Sequence, residues 1–146
     1  MRVAVSLLIA LLLAGCSEPI SMLAGGALKG VATPVPADWS TLANVKVIQV
    51  EFRPSDPYSH NIWNAGIGHD LYIATRGTRS RWIAFIAADP RVRARVGTAL
   101  YDLTAAPVTD AEERARVASA YASKYEIKAD DNWVNTGSIF RLDRRP

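Results

Sequence analysis

The stretch that decides the fold is residues 89–108, DPRVRARVGTALYDLTAAPV. Residues 91–96 alternate strictly between arginine and a small or branched apolar residue, which is the period of a β-strand with one buried face. Gly97 and Thr98 form a tight-turn signal, and residues 99–108 return as a partner strand. The stretch therefore predicts a β-hairpin whose apolar face points into a core and whose three arginines point away from it.

Further strands lie on both sides of this hairpin. Residues 44–52 are rich in β-branched side chains, and residues 53–57 contain two prolines, which favour a turn over a central strand. A second strand is expected over residues 58–65, and a third over residues 71–75. The last strand is expected near residues 136–142.

Two helices are predicted around the hairpin. Ser80 caps a short helix that ends at residue 88, because the Asp-Pro pair that follows disfavours helical backbone. Thr109 and Glu112 have the spacing of a capping box, and apolar residues then follow a helical period as far as Tyr125.

The order is thus three strands, a short helix, a hairpin, a longer helix and a strand. This order predicts a mainly β (α+β) fold, a small antiparallel barrel with two packed helices. The chain has 146 residues, 49% hydrophobic and 21% charged. That balance excludes a disordered tail, a collagen-like repeat and a multi-span membrane protein.

The N-terminal residues predict a lipid anchor. Residues 3–13 are an apolar run of eleven residues, shorter than the roughly 20 apolar residues that span a bilayer. The run ends in LAGC, residues 13–16, which resembles the lipobox of bacterial lipoproteins, and Cys16 is the only cysteine in the chain. The alternative is an ordinary signal peptide with a chance cysteine.

This interpretation divides the chain into three parts. Residues 1–15 are expected to be a signal peptide, and residues 16–37 an acylated anchor and tether rich in glycine and proline. Residues 38–146 are expected to form the barrel domain. The mature protein would lie in the cell envelope, on the non-cytoplasmic side of a bacterial membrane, held to lipid through acylated Cys16.

Several other chemistries are disfavoured. With two histidines and one cysteine, the chain offers no spacing for a zinc site, so no metal is expected. It has no nucleophile elbow, phosphate-binding lysine loop or dinucleotide fingerprint. A formal net charge of +3 gives little steering toward nucleic acid. Membrane headgroups are therefore the anionic partner expected for the arginine face of the hairpin.

Three segments of the chain together resemble the split β-barrel group. They are LYIATRG at residues 71–77, SRW at residues 80–82 and DPRVRARVG at residues 89–97. This group contains the pyridoxamine-phosphate-oxidase-like flavin proteins and the deazaflavin-dependent nitroreductases. The resemblance covers roughly residues 40–143 and implies a small antiparallel split β-barrel.

The resemblance also implies a cofactor, FMN or a deazaflavin, whose phosphate lies against the loop that follows the Thr-ended strand. The matching positions are Thr75, Arg79, Ser80 and Arg81. Trp82 would pack beside the site or stack on an aromatic ring, and Arg93 would reach the same anion from a neighbouring strand. The group implies a homodimer and an oxidoreductase that moves hydride to a small substrate, similar to the nitroreductases.

A second function stays open on the residues alone. The chain is also consistent with a non-catalytic envelope lipoprotein that uses the barrel as a binding or structural module. In that case the arginines would face water and side chains would fill the barrel. No catalytic residue is predicted under either hypothesis.

Overall fold

The computed structural model describes residues 18–146. The predicted hairpin at residues 89–108 is one part of its sheet. The elements, in chain order, are β1 (Val31–Ala32), a 3₁₀ helix (Ser40–Asn44), β2 (Val47–Phe52), β3 (Tyr58–Ile67), β4 (Asp70–Thr75), α1 (Arg81–Ala88), β5 (Arg91–Val96), β6 (Ala99–Pro107), α2 (Ala111–Tyr125), α3 (Trp133–Thr136) and β7 (Ser138–Arg144). Among these residues, no helix is long and apolar enough to cross a membrane.

The hairpin has the predicted register. β5 and β6 pair antiparallel, with Val96 opposite Ala99, and the two-residue turn places Gly97 at φ +59°, where a side chain would be strained. Val92 and Ala94 are fully buried, so the apolar face of β5 points into the core as the alternation indicated.

The strands close into a barrel. The sheet order is β1-β6-β5-β2-β3-β4-β7, and β7 returns to pair with β6, so β2 to β7 form a closed ring of six antiparallel strands. The long strand β6 makes this closure possible, because its first half pairs with β5 and its second half with β7. The predicted mainly β fold, a small antiparallel split β-barrel with packed helices, is confirmed.

Two apolar layers hold the fold together. The interior contains alternate residues of the strands together with Trp39, Trp82 and Ile86. A second cluster lies outside the barrel, where Val117 and Tyr121 of α2 pack against β3 and β4. Burying apolar side chains on both faces of the sheet explains why its strands contain few exposed apolar residues.

Both predicted helices are present, but the longer one begins differently from the capping-box prediction. Asp110 is the N-cap residue, and its carboxylate accepts a hydrogen bond of 2.8 Å from the backbone N–H of Glu113. The pattern is therefore shifted by one residue from Thr109 and Glu112. Aspartate is as good an N-cap as threonine, so spacing alone did not decide between the two starts.

The stretch before residue 38, expected as a tether, lies along the barrel in its described part. Leu28 is buried, and β1 pairs in parallel with the start of β6. Gly25 and Ser59 exchange two backbone hydrogen bonds of 2.9 and 2.8 Å. Cys16 and the predicted signal peptide lie outside the described residues, so those predictions remain untested.

This covering segment corrects the expectation for the arginine face of the hairpin. Arg93 donates two hydrogen bonds to the buried carboxylate of Glu51, at 2.8 and 2.6 Å, and Arg95 pairs with Glu18. Arg91 pairs with Asp89 at 2.6 Å. Alternation put the arginines on the outer face, but it could not show that residues 18–32 bind Arg93 and Arg95 there, while Arg91 stays exposed.

Candidate functional site

The barrel is split between β3 and β4. These strands pair only from Ile67 opposite Asp70 to Asn64 opposite Ile73. Beyond that point the first half of β3 pairs with β2 and, at Ser59, with Gly25, while the end of β4 pairs with β7. The divergence leaves a groove of about 730 Å³, which is within the usual range of small-molecule sites.

The groove has two strand walls and a loop wall. Its lining comes from the first half of β3, from the end of β4 with the start of α1, and from residues 126–133. Aromatic and aliphatic side chains dominate the surface, among them Tyr58, Ile62, Trp63, Ile127 and Trp133. An apolar lining with a few polar groups is typical of sites that bind an aromatic ligand.

Two hydroxyl groups meet in this groove. Thr75 is the last residue of β4, and Ser80 is the residue before α1. The Oγ1 atom of Thr75 lies 2.8 Å from the Oγ atom of Ser80. Ser80 occupies the N-cap position, but its side chain makes no capping hydrogen bond to the helix. Since one hydroxyl proton bridges the pair, the second hydroxyl proton is available to a ligand.

Gly137 allows β7 to approach the same strand end. A Cβ atom at this position would lie 2.3 Å from the carbonyl oxygen of Thr75 and 2.7 Å from that of Trp133. Such distances are far below any real contact, so only glycine lets β7 pass close to the hydroxyl pair.

The charged groups of the groove fall into two sets. Arg76 donates two hydrogen bonds to Asp131, at 2.8 and 3.2 Å, and its guanidinium lies 5.2 Å from the centre of the Trp133 ring. These hydrogen bonds hold the pKa of the Asp131 carboxyl below its usual value. Arg81, Lys128 and Glu126 line the groove and form no ion pair with any residue between 18 and 146.

Trp63 offers an aromatic surface. One face of its ring stacks on Tyr125 at a centroid distance of 4.3 Å, while 43% of the residue stays exposed. The Tyr125 hydroxyl donates to the carbonyl oxygen of Lys46 at 2.7 Å, and burial raises the pKa of Tyr125 to about 12. Tyr125 therefore stays neutral and holds Trp63 in place with an uncovered face.

Lys124 fastens the end of α2 next to this stack. Its ammonium donates to the carbonyl oxygen of Leu42 at 2.9 Å and to the side-chain oxygen of Asn64 at 3.0 Å. Burial lowers the pKa of Lys124 to about 8. The side chain joins the 3₁₀ helix, β3 and α2, so its role is to position these elements.

The structure brings together four of the residues predicted to bind the cofactor. Thr75, Ser80, Arg81 and Trp82 all line the groove. Arg79 is exposed and does not line it.

Arg93 is a correction, because its guanidinium is bound to Glu51 and to the carbonyl oxygen of Leu28 on the outer face of β5. Arg93 follows the other predicted site residues closely in sequence, but a strand side chain points to one face of the sheet only, and Arg93 points to the outer face and does not line the groove.

Trp82 packs into the barrel interior next to the groove. It is buried, with one face stacked on Phe52 at 5.5 Å and 11° and an edge contact to Phe140 at 5.6 Å. Trp82 therefore forms the apolar floor below the groove.

Sequence reasoning missed the loop wall and the exposed aromatic group. Trp63, Trp133 and Lys128 come from segments that carry no recognisable motif. The available signal was Trp63 next to Ile62, because alternation along a strand puts these two bulky apolar side chains on opposite faces of the sheet, so one of them lies outside the barrel.

Fold and groove define the chain as a member of the split β-barrel class. It belongs to the family described as "Uncharacterized protein conserved in bacteria (DUF2255)", whose model matches residues 39–138. No curated protein matches the chain.

Solved structures agree with this fold. A conserved hypothetical protein from Mycobacterium tuberculosis has a TM-score of 0.59 at 18% identity, covering 82% of this chain and 87% of that one. A Listeria innocua protein provisionally named pyridoxamine 5′-phosphate oxidase has a TM-score of 0.58 at 11% identity, covering 73% and 90%. A FAD-binding protein from Mesorhizobium loti has a TM-score of 0.53 at 17% identity, covering 72% and 83%. At these identities the likeness establishes the fold.

Proposed function

We propose that the groove binds a flavin or deazaflavin cofactor, FMN being the simplest case, and that the protein is an oxidoreductase of the split-barrel class. One observation carries this proposal: a single groove is lined by an arginine without an ion pair among residues 18–146, a hydroxyl pair and a tryptophan that is 43% exposed. Phosphate and a flat aromatic ring system are the two chemical features that such a set recognises.

The side chains present fit such a cofactor. Arg81 can give a bidentate pair of N–H donors to a phosphate, and the spare hydroxyl proton of the Thr75–Ser80 pair adds a third donor. Trp63 and Trp133, whose ring centres are 6.2 Å apart, supply aromatic surface for the ring system. The FAD-binding protein from Mesorhizobium loti has the same fold and supports the proposal.

A bound flavin or deazaflavin would supply hydride transfer, and the chain would supply binding and orientation. Trp82 and the apolar lining would keep water from one side of the ring. Arg76 is bound to Asp131, so it holds the loop wall in position and is not a phosphate ligand.

The test is a titration of the purified protein with FMN, FAD and a deazaflavin, followed by absorbance and tryptophan fluorescence. We expect saturable binding of at least one of them with quenching of Trp63, because the ring would stack on its open face. Absence of binding by all three at high concentration would contradict the proposal. That outcome would favour the non-catalytic binding or structural module.

We also propose that the mature chain is held to the envelope membrane by acylation of Cys16. The support is the LAGC sequence after an apolar run and the single cysteine. Cys16→Ser should leave an unprocessed precursor without incorporated palmitate, whereas the natural chain should be labelled and shortened by 15 residues. Normal processing of the variant would refute the anchor.

A further inference from the structure

Three exposed apolar side chains lie on a short turn at the edge of the groove. Ile20 is 57% exposed, Met22 81% and Leu23 71%, and Met22 also lines the groove. Ile20 and Leu23 close the turn with two backbone hydrogen bonds of 3.2 and 2.8 Å. Exposed apolar side chains grouped in this way mark a surface that contacts something other than water.

This apolar turn, residues 20–23, is fastened to the barrel. The Asn61 side-chain amide donates to the carbonyl oxygen of Pro19 at 3.3 Å and to that of Ser21 at 3.0 Å. Ser21 has a φ of +53°, a left-handed backbone conformation that the surrounding contacts must hold. The fold therefore presents these side chains to solvent on a defined support next to β3.

We propose that the apolar turn inserts into the surface of an anionic lipid bilayer and sets the opening of the groove against the lipid headgroups. The proposal rests on the lipid anchor proposed above and is independent of flavin binding. Three residues separate Cys16 from Ile20, and the four Cα-to-Cα steps between them reach at most about 14 Å. Acyl chains on Cys16 would thus keep the turn close to the interface.

The charge of the groove rim supports the same orientation. Arg81, Lys128 and Glu126 line the groove with Met22 and form no ion pair within the described chain, so two basic groups stand against one acidic group. Basic groups near an anionic leaflet are attracted to it, and the attraction fades within a Debye length. Apolar insertion with basic side chains beside it is the pattern of proteins that lie at a membrane surface.

The experiment uses the acylated protein in vesicles of phosphatidylethanolamine and phosphatidylglycerol. Ser21→Cys carries an environment-sensitive fluorophore, and it is the only reactive thiol because Cys16 is acylated. Glu112→Cys is the matched control: it is exposed and about 20 Å along α2 from Tyr125, which stacks beside the groove. We expect a blue shift and quenching by nitroxide lipids at position 21, and neither at position 112.

A second variant separates insertion from anchoring. Met22→Asp with Leu23→Asp in the Ser21→Cys background should abolish the blue shift while the protein still floats with the vesicles. Equal emission at positions 21 and 112 would overturn the proposal, and so would a free thiol at Cys16. A blue shift without vesicles that grows with protein concentration would show instead that the turn contacts a second copy. Failure of flavin binding in the same samples would leave membrane insertion standing.

Discussion

Some arginine side chains of this protein are bound to a carboxylate of the same chain, and these are not available to a ligand. Glu51 is a nearly fully buried carboxylate that accepts hydrogen bonds from Arg93 and from the backbone N–H of Leu28, the latter at 2.6 Å. Removing Arg93 would leave a buried charge without its main partner, so this arginine serves stability. Arg81 has no such partner in the described chain and is therefore the candidate for an external anion.

The first prediction at this scale concerns Arg81. Arg81→Ala should weaken binding of the flavin phosphate by at least about tenfold, because a charge-assisted hydrogen bond contributes roughly 1.5–3 kcal/mol. The melting temperature should stay unchanged, since the side chain is exposed. Titration and thermal denaturation measure the two effects.

Arg79→Ala is the matched control, because Arg79 is also exposed but lies outside the groove. Equal losses of affinity in both variants would indicate a general charge effect and contradict the assignment of Arg81.

The second prediction concerns Lys124 and pH. Its pKa is lowered to about 8 in the folded protein, whereas an unfolded lysine titrates near 10.5. Between these two pH values the unfolded chain binds more protons at this lysine than the folded protein does. The contribution of Lys124 to the free energy of unfolding should therefore rise as the pH rises from about 8. Tyr72 and Tyr125, with pKa values raised to about 12, oppose this rise only above about pH 10.

Urea denaturation between pH 7 and pH 10 measures this dependence. Lys124→Met should flatten the slope, and Lys46→Met, at an exposed lysine, should keep it. A slope that survives in Lys124→Met would show that another group causes it.

At the scale of elements, the N-cap of α2 lies one residue later than the predicted capping box, although the helix itself is present where it was predicted. Its start at Ala111 puts Asp110 at the N-cap, and Glu112 and Glu113 in the first turn suit the helix dipole. Glu113 also accepts hydrogen bonds from Tyr72 at 2.9 Å and Arg141 at 2.7 Å. The first turn of α2 is therefore tied to β4 and β7 as well as capped.

The third prediction tests this cap. Asp110→Ala should lower the free energy of unfolding by about 1 kcal/mol, because the Glu113 N–H loses its acceptor. Thr109→Ala should change it by less than about 0.5 kcal/mol, which is usual for a surface site. Chemical denaturation of both variants decides between the two starts, and a larger loss for Thr109→Ala would restore the capping box over Thr109 and Glu112.

At the scale of the whole molecule, residues 18–32 determine which parts of the barrel surface are exposed to solvent. They cover the outer face of β2 and β5, and β1 extends the sheet beyond β6. The same segment carries the apolar turn beside the groove. A segment expected to tether the domain is thus part of its packed structure.

The fourth prediction tests this role. Leu28→Ala should destabilise the protein by about 2–3 kcal/mol, because the side chain is 3% exposed and its loss leaves a cavity. Leu23→Ala removes an exposed leucine from the same segment and should have little effect. Thermal denaturation compares the two, and equal stability of both variants would show that the segment is not part of the folded unit.

Local pattern determined most of the barrel. The strict alternation of residues 91–96, the prolines after residue 52 and the Asp-Pro pair after α1 act on the nearest few residues, so they mark strands, turns and helix ends directly. The resemblance carried by residues 71–97 added the split form, and four of the residues it marks, Thr75, Ser80, Arg81 and Trp82, line one groove.

Only the tertiary structure decided what covers each face and which charges find partners. Arg93 and Arg81 have the same side-chain chemistry, yet one meets Glu51 on the neighbouring strand β2 and the other lines the groove. Trp63 and Trp133 are 70 residues apart in the chain, and their proximity depends on the packing of α2 against β3 and β4. Pattern along the chain specifies backbone geometry within a few residues, whereas partners depend on contacts between distant segments, which form only when the barrel closes.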